Sequence, residues 1–312
     1  MKHVDRAALS RVIAVMNGKC GVGKTSMTAN LAGLYAAAGY RVLVLDCDPQ
    51  GNLGVDLGYL SDGRSDGGAE LVRAITEGAT PRPLSGVRDN LDVLAGGDEL
   101  NGLAAELMRP GRGGAESLTP ALAASLAQVA EDYDLIFIDS PPGGDVLQHL
   151  ILTAARWIIV PTRSDDASRI GLRDVARRYL EAREDNPDLA LLGVVLFGVN
   201  ISATRITGQA REALARDLNG AVPVLDSMVR YVEAAATDAR NRGQLVHELE
   251  KTVAAQPRWF ELRRNPEGRK TAALAASATS LASDYAAVAR EVLHLIVEAE
   301  RAEEAAMEGA NA

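Results

Sequence analysis

The segment 17–26, NGKCGVGKTS, has the residue types and spacing of a phosphate-binding loop. Gly18, Gly23, Lys24 and Thr25 match the pattern GxxxxGK[ST], in which glycines let backbone N–H groups turn toward phosphate oxygens. We expect Lys24 to reach the β- and γ-phosphates of a nucleotide and Thr25 to ligate Mg²⁺ through its hydroxyl. The pattern predicts a nucleotide site, and its loop also contains the candidate residues Lys19, Gly21, Val22 and Ser26.

A second lysine in the same loop needs its own explanation, because the chain has only five lysines. Lys19 precedes Lys24 by five residues and is poorly placed to contact the same phosphate. It is either a solvent-exposed lysine, as most lysines are, or a cation that reaches the nucleotide of a second subunit. Arginines supplied in this way accelerate phosphoryl transfer by about 10³–10⁵. The loop pattern alone leaves both interpretations open.

The loop follows the first of several apolar runs, which are rich in Val, Ile and Leu and predict buried strands at 11–17, 41–46, 91–96, 134–139, 157–162 and 191–200. Helical stretches lie between them, for example at 25–39, 119–131, 167–184 and 204–218. This alternation predicts an α/β fold with a doubly wound, mostly parallel sheet flanked by helices. Ligands bind at the carboxyl ends of such strands.

Three acidic residues fall at those strand ends. Asp46 and Asp48 follow the second predicted strand, and Asp139 ends the fourth. A single acid at a strand end is often a helix cap or part of a solvated turn. Three of them around one phosphate loop favour a role in nucleotide chemistry.

The overall composition limits the function classes. The net charge of −9 and the pI of about 5.1 argue against a protein that coats nucleic acid by bulk charge, although arginine clusters can act locally. No apolar run of about 18 residues predicts a membrane span, and the N-terminus lacks a secretory signal pattern. Cys20 and Cys47 form no disulfide or metal framework. We expect a reduced, cytoplasmic protein.

Two segments, 58–90 and 109–117, are rich in Gly, Pro, Arg and Ser and predict exposed loops around one short helix. Residues 272–308 form one alanine-rich helical pattern with an acidic end. We expect one domain with the phosphate loop at 1–272, with a possible insertion at 252–271, and a C-terminal helix at 273–312 that packs on it and ends in an acidic tail.

The loop resembles the deviant Walker A motif, KGGxGK[ST], of the ParA/MinD family of P-loop ATPases, with Lys19 at the signature lysine. Four further segments resemble the family's motifs and occur in the same order along the chain. These segments are 42–54 (VLVLDCDPQGNLG), 90–100, 133–143 and 158–172. The resemblance covers about 11–200, more weakly reaches 245, and is closest to Soj-like partition ATPases. Cys20 stands where the family has glycine and would be strained if the backbone there needs a positive φ.

The resemblance implies ATP and Mg²⁺ as ligands, a P-loop NTPase fold and slow, partner-stimulated ATP hydrolysis. Two subunits would sandwich two ATP molecules, with Lys19 crossing to the partner's nucleotide. Asp48 would position or activate the attacking water, Asp46 would support Mg²⁺ and the loop, and Asp139 would hold Mg²⁺ as the Walker B acid. Relatives contact adenine in the regions that correspond to Asn200, Pro223 and Asp226.

The function implied by the resemblance is DNA partitioning, in which an ATP-bound homodimer binds DNA without sequence preference and associates with the nucleoid. A ParB-like partner bound to a centromere-like site would stimulate hydrolysis. The candidate DNA contacts are Arg205, Arg211, Arg230, Arg240 and Arg242. Further basic clusters comprise Arg169, Arg173, Arg177 and Arg178 and the segment 257–270.

Other functions use the same phosphate site. A membrane switch of the MinD kind needs a basic amphipathic C-terminal helix, and the acidic C-terminus disfavours it. A relative that positions a protein assembly shares every motif with the partition ATPases. A P-loop metabolic enzyme such as an amide ligase would not explain Lys19 or the DPQGN segment. An iron–sulfur reductase would need bridging cysteines, which Cys20 and Cys47 cannot supply.

Overall fold

The computed structural model describes residues 4–107, 120–200, 204–218, 220, 222–255, 275 and 277–310. One sheet contains the strands β1 (Val12–Val15), β2 (Val42–Asp46), β3 (Leu84–Arg88), β4 (Leu91–Leu94), β5 (Leu135–Asp139), β6 (Trp157–Thr162), β7 (Ala190–Val199) and β8 (Val224–Arg230). Its order is β3-β4-β2-β5-β1-β6-β7-β8. Only β3 runs antiparallel to its neighbour in this sheet. The predicted fold class is confirmed.

The helices are α1 (Lys24–Ala37), α2 (Leu53–Asp56), α3 (Ala69–Glu77), α4 (Glu99–Leu107), α5 (Ala121–Leu126), α6 (Asp145–Ala154), α7 (Asp166–Ala182), α8 (Thr204–Asp217), α9 (Glu233–Asn241), α10 (Val246–Ala254) and α11 (Ala278–Ala310). Successive strand residues point to opposite faces, so each strand contributes to two cores. Ile13 and Val15 pack with α1, α9, α10 and α11. Val12 and Ala14 pack on the other face with α3 to α8.

The six predicted strands are present, whereas β3 and β8 were not predicted. The segment 58–90 was expected to form loops around one short helix, and it contains α3 but also the edge strand β3. Ser85 and Gly86 of β3 are exposed, and β8 has the burial pattern of a strand covered mainly on one side. Neither strand therefore produces a continuous apolar run. The expected loop at 109–117 and the basic segment 257–270 lie outside the described residues.

The C-terminal helix α11 packs along the sheet beside β8 and α1. The Tyr35 hydroxyl donates to the Ala289 carbonyl oxygen at 2.6 Å, and Val288 and Val292 are fully buried. Residues 301–309, which carry acidic side chains, are exposed. The boundary between 1–272 and 273–312, and the insertion at 252–271, stay predictions. Among the described helices, none combines the length and the apolar character needed to cross a membrane.

Candidate nucleotide-binding site

The phosphate loop connects β1 to α1 and depends on glycine at two positions. Gly21 and Gly23 have φ angles of 72° and 89°, in the left-handed region that favours glycine. A Cβ atom on Gly23 would lie 2.3 Å from ring carbons of Phe197, near the end of β7. Phe197 therefore packs directly against the loop, a contact that the sequence did not predict. Cys20 does not share the positive φ, so the expected strain there does not arise.

Lys24 begins α1 and is almost fully buried, with a relative exposure of 6%. Its Nζ donates to the Lys19 carbonyl oxygen at 3.1 Å. Burial lowers the pKa of Lys24, and the nearby Asp139 carboxylate opposes that shift. The first turn of α1 contains no acidic residue, and the helix N-terminus adds partial positive charge. A buried ammonium at a helix N-terminus is suited to binding an anion.

Lys19 points in a different direction. Its backbone N–H donates to Asn17 Oδ1 at 2.9 Å, and Asn17 Nδ2 donates to the Pro161 carbonyl oxygen at 2.9 Å. The Lys19 side chain is partly exposed, and its Nζ donates to Asp165 Oδ1 at 3.1 Å, just beyond β6. The two lysines of the loop are thus separated, one inside the loop and one at its outer side. Asn17 and Asp165 were not predicted as site residues.

Asp46 and Asp139 lie side by side as register partners at the ends of β2 and β5, and both are fully buried. Asp46 accepts hydrogen bonds from the N–H groups of Asp48 at 3.0 Å and Leu53 at 3.2 Å. Burial and the charge of Asp139 raise the pKa of Asp46 well above its usual range. A Cβ on Gly96 would approach the Asp46 carbonyl oxygen to 2.6 Å, so glycine is required beside this pair.

The hydrogen-bonding capacity of the Asp139 carboxylate is only partly used by the described residues. Its Oδ1 accepts a hydrogen bond from the Thr28 hydroxyl at 3.5 Å, and its carboxylate also interacts with the Thr25 hydroxyl. Its Oδ2 is buried and accepts no hydrogen bond from any residue that the structure describes. Burial raises the pKa of Asp139 to about 7, against the opposing effects of Thr25 and Lys24. A buried carboxylate oxygen of this kind is costly unless a cation binds it.

Asp48 follows Asp46 by two residues, and its backbone N–H donates to the Asp46 carboxylate. It is 5% exposed, and its Oδ1 accepts a hydrogen bond from the Gln50 N–H at 2.9 Å. Its charge acts on Lys24, Asp46 and Asp139. The three predicted acids are therefore brought together around the phosphate loop.

These residues fit a magnesium–nucleotide complex. Oxygen ligands suit Mg²⁺, and Thr25, Asp46 and Asp139 supply a hydroxyl and two carboxylates beside a buried lysine. Thr25 and Asp139 would hold the ion, Asp46 would support it, and Lys24 would contact the phosphates. The bound ion would supply positive charge that neutralises the phosphate oxygens during phosphoryl transfer.

The predicted adenine contacts are less well supported by their positions. Asn200 directly follows β7, close in sequence to Phe197. Pro223 is exposed and precedes β8, and the Asp226 carboxylate pairs with Arg211 at 2.5 Å. The Asp226 N–H donates to Glu291 of α11 at 2.7 Å. The structure does not bring Pro223 or Asp226 to the phosphate loop, and their role in adenine binding stays a prediction.

The candidate DNA-binding arginines fall into two groups. Arg230 makes a two-pronged pair with Asp284 at 2.5 and 2.7 Å and is half-buried. Arg211 pairs with Asp226, and Arg240 contacts Asn52 and Asp56. Arg205 and Arg242 are exposed.

In the additional basic cluster on α7, Arg177 pairs with Glu181 and Arg178 with Asp145. Arg173 is exposed, and the side chain of Arg169 lies outside the described residues. Among the described arginines of the two sets, five thus have acidic partners within their own chain.

Comparison with known proteins is consistent with this site. A family model described as an AAA domain matches residues 10–191. The chromosome partitioning protein ParA of Caulobacter vibrioides is 36% identical over 190 residues, which cover 60% of this chain and 68% of that protein. The sporulation initiation inhibitor protein Soj of Bacillus subtilis is 30% identical over 260 residues, which cover 79% of this chain and 99% of Soj. The chain belongs to the ParA/MinD family of P-loop ATPases.

This chain is also similar to a solved structure that contains bound ligands. Cobyrinic acid a,c-diamide synthase from Mycobacterium smegmatis, with bound ATP analogue and magnesium, is 30% identical to this chain. The match has a TM-score of 0.58 and covers 75% of this chain and 92% of that protein.

Proposed function

We propose that this protein is a ParA-type ATPase of DNA partitioning. ATP closes a sandwich homodimer, the dimer binds DNA without sequence preference, and a ParB-like partner stimulates hydrolysis and release. The names of the ParA and Soj relatives support this proposal. The single observation that carries it is the separation of the two loop lysines, because Lys19 extends outward while Lys24 occupies the loop interior.

The catalytic roles follow from the same geometry. Lys24 binds the phosphates of its own nucleotide, and Lys19 leaves Asp165 to contact the nucleotide of the second subunit. The Lys19–Asp165 pair is partly exposed, so exchanging it for a phosphate costs little. Asp48 positions or activates the attacking water, as its location beside Asp46 and Asp139 allows. We expect slow basal turnover, because a switch needs a long-lived ATP state.

The DNA-binding surface is proposed to centre on Arg205 and Arg242, which are exposed. Arg230 is the weakest of the original candidates, since contact with DNA would break its pair with the largely buried Asp284. Each phosphate contact adds about 0.9 to the slope of log affinity against log salt concentration. Arg205→Ala and Arg242→Ala should each reduce that slope by about this amount, whereas Arg230→Ala should mainly lower stability.

The decisive experiment measures binding to a non-specific DNA duplex with ATP, with ADP and without nucleotide, across a salt series. Partitioning predicts binding with ATP only and a steep salt dependence. Lys19→Ala should keep nucleotide binding but lose ATP-induced dimerisation and DNA binding. Lys251→Ala, which removes an exposed lysine on α10, is the matched control and should behave like the unmodified protein. Equal DNA binding in all nucleotide states would contradict the proposal.

Two other functions are outcomes of the same experiment. An intact ATP dimer that binds no DNA in any state would indicate a relative that positions a protein assembly or acts at a membrane. The similarity to the diamide synthase raises a second candidate, ATP-dependent amide formation. That function predicts ADP release that depends on a carboxylic acid substrate and an amide-nitrogen donor, with no effect of DNA or of Lys19→Ala on dimerisation.

A further inference from the structure

A cavity of about 170 Å³ lies behind the phosphate loop, between α1, α2, α9, α10 and α11. The polar residues that line it are Ser26, Asn30, Asp56, Thr237, Arg240, Gln244 and Tyr285. A volume of this size holds more than one water molecule or the end of a small polar ligand. The nucleotide site described above uses none of these side chains except Ser26.

Asp56 is the most unusual side chain of this cavity. It is 8% exposed, and its Oδ2 accepts a hydrogen bond from the Ser26 hydroxyl at 3.4 Å. Its Oδ1 is buried and accepts no hydrogen bond from the residues that the structure describes. Arg240 pairs with Asp56, and its Nη1 lies 3.5 Å from that oxygen. The other Arg240 nitrogen, Nη2, donates to Asn52 Oδ1 at 2.9 Å, so Arg240 is shared between two partners.

Gln244 adds a second acceptor. Its Oε1 is buried and also lacks a hydrogen-bond donor within the described part of the chain, while its Nε2 donates to Thr252 Oγ1 at 3.3 Å. Buried acceptors that lack donors cost free energy, and a carboxylate costs more than an amide. Two side chains of the cavity lining thus each have a buried acceptor atom, one of them charged, to which the described residues donate no hydrogen bond.

We propose that this cavity binds an ammonium or guanidinium group. Such a group carries several donors and a positive charge, so it would satisfy both Asp56 Oδ1 and Gln244 Oε1. Arg240 approaches from the rim, where 45% of its side chain is exposed, and it can swing aside. The cation comes either from a free amine or from a lysine or arginine side chain of a partner protein.

The position of the cavity connects it to the nucleotide site. Asp56 contacts Ser26, which follows Thr25 and Lys24 at the start of α1. A cation that draws the Asp56 carboxylate toward the cavity would weaken the hydrogen bond to Ser26. Binding of the cation itself does not depend on the proposed partitioning function, and it is measurable without nucleotide.

The test is an NMR titration of the nucleotide-free full chain at constant ionic strength, followed through the backbone amides of residues 26, 56 and 244. The probes are n-butylammonium and the side-chain ammonium of N-acetyl-lysine amide, with n-butanol as the uncharged control. We expect saturable shifts with both cations and none with butanol. Tighter binding of the lysine amide indicates a partner side chain as the natural ligand, and tighter binding of butylammonium indicates a free amine.

Two variants with opposite expected effects on cation affinity distinguish loss of the site from misfolding. Asp56→Asn should weaken binding of the cation at least tenfold, whereas Glu212→Gln, at an exposed acid on α8, should leave it unchanged. Arg240→Gln removes the competing cation and should tighten binding at least threefold, a result that a misfolded variant could not give. Unchanged affinity in Asp56→Asn, weaker binding in Arg240→Gln, or no saturable shift with either cation would overturn the proposal.

Discussion

The carboxyl ends of the parallel strands form one edge of the sheet, the carboxyl edge, and their amino ends form the opposite edge. Charged side chains at these two edges differ in burial and in pairing. At the carboxyl ends of β2 and β5, Asp46 and Asp139 are fully buried and repel each other, and Asp139 Oδ2 accepts no hydrogen bond from the described residues. At the other edge, Arg11 and Arg156 precede β1 and β6 and pair with Glu300 and Glu303 of α11. Both of these pairs retain contact with solvent.

The different burial of these charges indicates that the carboxyl edge is arranged for ligand binding and that the opposite edge is not. Buried like charges destabilise the protein without ligand, and that cost is recovered only when a cation and phosphates bind. Exposed ion pairs contribute about 0–1 kcal/mol each, because water already solvates both partners. The carboxyl edge is therefore suited to binding a nucleotide, although its buried charges lower the stability of the ligand-free protein. The ion pairs of the opposite edge stabilise the packing of α11 only weakly.

The largest expected effect comes from removing the cation of the carboxyl edge. Lys24→Ala should reduce ATP affinity by a factor on the order of 10² or more, since a hydrogen bond to a charged group contributes about 1.5–3 kcal/mol and the remaining carboxylates would repel phosphate. Equilibrium binding of a fluorescent ATP analogue measures it, with Lys251→Ala as the control. An affinity equal to that of the unmodified protein would remove Lys24 from the phosphate site.

Asp48→Ala tests the catalytic part of the same edge. Hydrolysis should fall by about 10²–10⁴ if Asp48 positions or activates water, while ATP binding persists and an ATP-bound dimer accumulates. Single-turnover phosphate release and size-exclusion chromatography measure the two effects. Turnover at the rate of the unmodified protein would exclude Asp48 from this role.

Asp139→Asn tests the stability cost. Because burial raises the pKa of Asp139 to about 7, the folded state binds this proton more tightly than the unfolded state, whose carboxyl titrates near 3.9. Below about pH 4 Asp139 therefore does not lower the free energy of unfolding, because the carboxyl is protonated in both states. The free energy of unfolding decreases as the pH rises from about 4 to about 7.

The nucleotide-free variant should therefore gain stability relative to the unmodified protein, and the gain should increase from pH 5 to pH 7.5. Each kcal/mol of relieved repulsion raises Tm by roughly 1–2 °C in a chain of this size, because the entropy of unfolding increases with chain length. Thermal unfolding at several pH values measures the trend, and Mg²⁺-dependent ATP binding should weaken in parallel. A variant less stable than the unmodified protein at pH 7.5 would show that the buried charge is well compensated.

The smallest effect belongs to the opposite edge. Glu300→Gln removes the partner of Arg11, which is 49% exposed on its side chain. The free energy of unfolding in urea should change by only about 0–1 kcal/mol, and less at high salt. A loss of several kcal/mol would mean that this edge, and not only the core, holds α11 in place.

The phosphate loop and its acids could be predicted because their signals are local. Glycines, a lysine and a threonine at fixed spacing identify the loop, and Asp46, Asp48 and Asp139 end apolar runs whose carboxyl ends must meet in a parallel sheet. The arginine predictions rested on clustered charge and on the family resemblance and were less specific. Arg230 pairs with Asp284, 54 residues away, and no local pattern indicates that contact.

By itself, the sequence determined the fold class, the nucleotide loop and the identity of the residues around it, because hydrophobic periodicity and turn geometry are written in neighbouring residues. Only the tertiary structure decided which charges are paired. Asp165 holds Lys19, Phe197 packs on Gly23, and Asp56 lies buried with an oxygen that the described residues leave without a donor. These features depend on distances between elements far apart in the chain, and such distances are set by packing.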